Sequence, residues 1–118
     1  MKTSVITSTS AQTRVANLIV ASINNAVSFF SDAPVAKIDS AASGSYYKVI
    51  VVENEKSSML TFAEIDTIRA AADVFCKKYK GMYYTMQTRP YLAQDGSTWL
   101  HRPVFEVCVR KYDKDEVK

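Results

Sequence analysis

The chain has 118 residues, 47% of them hydrophobic and 23% charged, with a formal net charge of +3. We read residues 1–118 as a single domain, because that length can bury a core without disulfide or metal staples, and the apolar content excludes a disordered polar chain. Three glycines, one histidine and two cysteines leave no glycine-rich phosphate loop, no clustered zinc ligands and no disulfide framework.

In chain order, residues 1–8 are expected to be frayed, with Val5-Ile6 the place for a short edge strand. Lys2 is followed by Thr3 and Ser4 rather than an apolar block, so no secretory signal is expected. Thr9 is placed to cap a first helix, with Gln12 completing a capping box. Val15, Ile19, Ile23, Val27 and Phe30 then recur at helical spacing, and Pro34 ends the segment. Residues 15–31 carry no charge, but Asn17, Asn24 and Asn25 favour a buried amphipathic helix over a membrane span. The polar face has Arg14 as its only charge, and a face so poor in charge can pack against a second subunit.

Val35 to Asp39 is a strand candidate, and the small residues 40–45 read as a loop. Tyr46 to Glu53 is apolar on both faces at its centre, as an interior strand requires. Asn54 to Ser58 reads as a turn. Thr61 and Glu64 form a capping box for a second helix, whose buried face is expected to carry Phe62, Ile65, Ile68, Ala72, Phe75 or Cys76, and Tyr79. Glu64 and Asp66 near its start and Lys77, Lys78 and Lys80 near its end suit the macrodipole, with Gly81 expected at C′.

Gly81 to Tyr112 reads as a long β-hairpin turning at Asp95-Gly96, a pair suited to a two-residue type I′ loop. That turn sets Met82 against Val109, Tyr84 against Val107 and Met86 against Phe105, all apolar and on one face. The other face pairs Tyr83 with Cys108, Thr85 with Glu106, Gln87 with Val104, and Arg89 with Arg102. A slip of one residue would destroy this sorting. The same loop would put Pro90 and Pro103 on hydrogen-bonded positions, where they cannot donate, so the ribbon is expected to flare from about Thr88 to Arg102. Residues 113–118 read as a disordered charged tail. The fold expected is α+β, two helices on one face of a mostly antiparallel sheet of about four strands.

No pattern here places a nucleophile against a base, so no enzyme activity, catalytic residue, metal or cofactor is expected. The hairpin's outward face is the functional lead. Opposed Arg89 and Arg102 would repel unless solvent separated their side chains or an anion lay between them, and Tyr83, Tyr91, Trp99 and His101 lie along the same ribbon. Cations with ring faces suit single-stranded nucleic acid. The expected function is a nucleic-acid-binding module acting through Tyr83, Arg89, Tyr91, Trp99, His101 and Arg102. The alternative is a protein-interaction or assembly protein, such as a viral or mobile-element accessory factor or a homo-oligomer, using the same arm or the first helix, since Trp, Tyr and Arg are common interface anchors. No membrane partner is expected. Cys76 and Cys108 read as free thiols of a cytoplasmic protein.

With Val5-Ile6 as a first strand, the element order resembles that of the Alba family of small chromatin and RNA-binding proteins. Gln94-Asp95-Gly96 at the tip and the closing Val107-Cys108-Val109-Arg110-Lys111 look like that family's projecting hairpin. The resemblance implies a βαβαββ order and nucleic-acid binding. The chain departs from it in the additional strand candidate between the helices, and in Ser58-Met59-Leu60-Thr61 where the family has a Gly-Arg-Lys type segment.

Overall fold

A computed structural model describes residues 10–112. The expected Val5-Ile6 strand, the Thr9 cap and the frayed ends at 1–8 and 113–118 lie outside those residues. In chain order come helix α1 (Ala11–Val27), strands β1 (Val35–Asp39) and β2 (Tyr47–Glu53), helix α2 (Phe62–Lys78), and strands β3 (Tyr83–Leu92) and β4 (Trp99–Arg110). The strands form one antiparallel sheet in the order β1-β2-β4-β3. The fold is thus the α+β arrangement that the periodicities predict. Two strands separate the helices, however, where the Alba-like order has one.

The order contains two αββ units whose last strands, β2 and β4, pair at the centre of the sheet. Both helices cover the same face. There Ile19, Ile23, Ile68 and Ala72 meet Ile50, Val52, Phe105 and Val107 in one buried cluster. The amphipathic faces of both helices are thereby removed from water, which supplies the main stabilisation.

The first helix begins with Ser10 as its N-cap, whose hydroxyl accepts from the Thr13 amide at 3.1 Å. Gln12 does not complete a capping box. Its buried amide donates to the carbonyls of Tyr46 and Val109, each at 2.8 Å, and so pins the start of α1 to the ends of β2 and β4. At the other end of α1, Asn24 exchanges two hydrogen bonds with the backbone of Ala36, at 2.8 and 3.0 Å, fixing β1 beneath the helix. The helix stops at Val27, three residues before the expected Phe30, as the chain turns toward Asp32 at φ +51°.

The second helix has the expected capping box between Thr61 and Glu64. Phe62 is a correction: it is 88% exposed. Leu60 at N′ and Ile65 at N4 both join the core cluster, as in a hydrophobic staple, and the first helical residue between them points away. Tyr79 is the C-cap, so Gly81, at φ +83°, lies one place beyond C′.

The β3–β4 register is the one read from the sequence, from Tyr83 opposite Cys108 to Leu92 opposite Trp99. The tip differs. Asp95 is not among the residues of positive φ, whereas Gly96 has φ +77°, so this is not a type I′ loop. The Ala93 amide donates to the Thr98 carbonyl at 2.8 Å and the Gly96 amide to the Ala93 carbonyl at 3.0 Å, closing a four-residue loop. The Asp95 carboxylate accepts from the amides of Ser97 and Thr98, both at 2.9 Å. These bonds select the wider loop and, with the Thr98 hydroxyl, lower the Asp95 pKa to about 2.

Lengthening the loop evenly about its centre keeps the register but shifts the phase of the ladder. Because Ala93 and Thr98 form a hydrogen-bonded pair, Pro90 and Pro103 fall on the alternate, non-bonded positions. The nitrogen of Pro90 then faces the open edge of the sheet. That of Pro103 faces the β2 side, beyond Phe105, where the β2–β4 ladder ends. Neither proline breaks a ladder bond, and the flare expected over 88–102 does not occur. The ribbon instead continues about 20 Å past the end of β2 as a two-stranded arm.

Candidate functional site

The face of the sheet away from the helices carries the outward residues of the hairpin, as its alternation requires. A small cluster of Val49, Val51, Val104 and Cys108 is buried there, with Tyr47 packed against it. Arg89 of β3 donates to Glu106 of β4 from Nε at 3.0 Å and Nη2 at 2.7 Å, and reaches Asp39 on β1 through Nη1. A flat sheet would hold β1 and β3 about 14 Å apart, so this contact belongs to a sheet curled around its open face. The guanidinium holds the Asp39 carboxyl below its ordinary pKa, chiefly through the hydrogen bond.

Arg102 is also committed. Its side chain is 9% exposed, pairs with Glu53 at 3.5 Å and lies 3.9 Å over the Tyr91 ring. The opposition of Arg89 and Arg102 is present in the register, but each cation has its own carboxylate, with Arg102 Nε buried and left without a hydrogen-bond partner. The two arginines hold the arm against the body of the sheet.

The six residues read as a binding face therefore separate. Arg89, Tyr91 and Arg102 form the internal network. Trp99 and His101 are exposed but lie on the opposite face of the ribbon from Arg102, by the alternation of a strand. Tyr83, 49% exposed, is at the far end of β3, about 27 Å from Tyr91 along the strand. An open cleft of about 380 Å³ between the 55–58 turn and the arm is lined by Glu55, Lys56, Tyr91 and Arg102 among others. His101 does not line it. Among the described residues no three His, Cys, Asp or Glu side chains stand close enough to hold a metal ion, and no helix is long and apolar enough to cross a membrane.

A different group of cations is brought together around Tyr83. The end of α2 carries Lys77, Lys78 and Lys80, all exposed. Arg110, at the end of β4, donates from Nε to the Lys80 carbonyl at 2.7 Å and from Nη1 to the Lys111 carbonyl at 2.6 Å. Lys48 stands opposite Val109 in the β2–β4 ladder. These six side chains collect at one pole of the molecule, and the segments that form it, 45–49, 77–83 and 108–112, contain no Asp or Glu. None of the five lysines takes part in an ion pair among the described residues. The Gln12 bonds to Tyr46 and Val109 hold this pole together from the helix side.

Aromatic rings adjoin the cations. Tyr47, opposite Arg110, meets Tyr46 edge-on at 4.9 Å and Tyr83 edge-on at 5.8 Å between centroids. Tyr46 and Tyr83 are each 49% exposed. The neighbouring Cys108 raises the pKa of Tyr83, and burial raises that of the Cys108 thiol. Deprotonation at neutral pH is favoured at neither group.

Sequence reading singled out Tyr83 and missed the rest of this pole. The lysines at the end of α2 are accounted for by the macrodipole alone. The signal was nonetheless in the hairpin: one pair beyond Met82–Val109, its register sets Gly81 against Arg110. A Cβ on Gly81 would stand 2.6 Å from Arg110 Nε, so the lysine-rich helix end and the basic strand end must meet. Comparisons with protein-family models, curated proteins and solved structures found no match.

Proposed function

We propose that this protein is a non-enzymatic nucleic-acid-binding module and that it engages the phosphate backbone through the pole formed by Lys48, Lys77, Lys78, Lys80, Arg110 and Lys111. The observation that carries the reading is the gathering of cations on three segments, 45–49, 77–83 and 108–112, that contain no Asp or Glu, next to two half-exposed tyrosines. Phosphate contacts need cations outside ion pairs, and among the described residues the five lysines of the pole take part in none, whereas Arg110 braces the pole through the Lys80 and Lys111 carbonyls. Arg89 and Arg102 act in this reading as supports of the arm rather than as ligands. The free thiols Cys76 and Cys108 fit the reducing conditions of the cytoplasm.

The test is fluorescence anisotropy with a labelled oligonucleotide across a salt series. Log affinity should fall with log salt, with a slope of about −3.5 if all five lysines meet phosphates of a single strand, from about −0.7 per contact. Lys77→Gln/Lys78→Gln/Lys80→Gln should lose most of the binding and stay folded, its thermal midpoint lowered by several degrees at most because favourable charges at the end of the helix are removed. Unchanged affinity in the folded triple variant sinks the reading.

A second reading rests on the distal arm, where Leu92, Trp99 and Leu100 are 46%, 65% and 42% exposed. Such a surface suits a protein partner or a second copy of the chain. It would show as a size in solution that rises with concentration without nucleic acid and is abolished by Trp99→Ala.

A further inference from the structure

We infer that the nucleic acid taken by the basic pole is single-stranded, with bases stacking on the rings of Tyr46 and Tyr83; this rests on the nucleic-acid reading above. The argument begins with how the tyrosines are held. Tyr47 is the strut: it packs against the buried cluster on the open face and meets both neighbours nearly perpendicularly, at 81° to Tyr46 and 74° to Tyr83. Edge-on packing is a favourable aromatic geometry and holds both outer rings in place while half of each stays in water. The backbone of Tyr46 is anchored by Gln12 at 2.8 Å, and Tyr83 is held opposite Cys108 in the β3–β4 ladder. Little side-chain freedom is left for a ligand to remove.

Two positioned rings beside a row of cations are the two halves of a single-strand site. Ring faces take unpaired bases of any sequence, and the cations follow the backbone. In a duplex the base faces are already stacked on one another, so the tyrosines would add nothing there and only the phosphates would be met. Arg110 stands at the junction. It is opposite Tyr47 in the ladder, and its bonds to the carbonyls of Lys80 and Lys111 join the lysines to the tyrosines as one surface.

The experiment compares a 15-nucleotide oligothymidylate with a 15-base-pair duplex, using the full chain. Tyr46→Ala/Tyr83→Ala should weaken single-strand binding by about 30-fold or more, from roughly 5- to 150-fold for each lost base–aromatic stack, and leave duplex binding within about twofold, since phosphate contacts supply the duplex term. Its salt slope should match the wild type, because the cations remain. Tyr46→Phe/Tyr83→Phe should bind like the wild type, since a phenyl face stacks as well. Wild-type preference for the duplex, or an alanine pair that binds the single strand normally, overturns the inference while leaving the phosphate-binding pole in place. Failure of the wild type to bind either probe overturns both.

Discussion

Arg89 makes three hydrogen bonds to carboxylates on the open face, and its role follows from what it neutralises. It is 28% exposed at the side chain and bonds to Asp39 and Glu106, themselves 20% and 16% exposed. Removing the guanidinium leaves two carboxylates half out of water and facing each other without a counter-charge. Arg89→Ala should therefore cost about 2–4 kcal/mol of unfolding free energy, measurable by urea denaturation at neutral pH; a cost below about 0.5 kcal/mol would mean that the network is effectively solvated. The same contact gives a pH dependence. Asp39 is held below its ordinary value of 3.8, so its contribution is complete above that value and is lost as pH falls through the lower folded value. Asp39→Asn should flatten the loss of stability on acidification through that range, though it lowers stability at neutral pH. The sequence singled out Arg89 by its register, yet the carboxylates that satisfy it come from positions 50 and 17 residues away, and no local pattern connects them.

The hairpin tests how much an element reveals by itself. Alternation of apolar and polar residues in two strands fixes their pairing, because only one register buries Met82, Tyr84, Val107 and Val109 together. The loop was less legible, since Asp-Gly suits a two-residue turn and a wider one alike. What decided between them was the Asp95 side chain, which accepts the amides of Ser97 and Thr98. The same choice moved both prolines off the bonded positions. Gly96 remains the residue the loop depends on. At φ +77° with open space where a Cβ would sit, Gly96→Ala meets backbone strain alone, and it should destabilise the protein by about 1 kcal/mol. Thermal unfolding checks this, and a more stable variant would contradict the loop geometry.

In the whole molecule two αββ units share a sheet, and they differ where function is proposed. The first ends its helix without a basic residue and has strands of five and seven residues. The second ends its helix with Lys77 and Lys78 and has strands of ten and twelve residues. No repeat is visible in the sequence. Gln12 links the units at the pole, and Gln12→Ala would leave the Tyr46 and Val109 carbonyls without their buried donor. Its expected cost is about 1–3 kcal/mol, with weaker single-strand binding because the Tyr46 backbone loses its anchor; calorimetry and anisotropy on one sample read both. The two helices, the interior strand and the hairpin register are legible along the chain, because they depend on side-chain periods of 3.6 and 2 that neighbouring residues carry. Which cations take part in ion pairs was settled by the packing. Ion pairing across a curled sheet depends on strand order and twist, so Arg89 and Arg102 found carboxylates on other strands, while among the described residues the lysines near Gly81 take part in no ion pair.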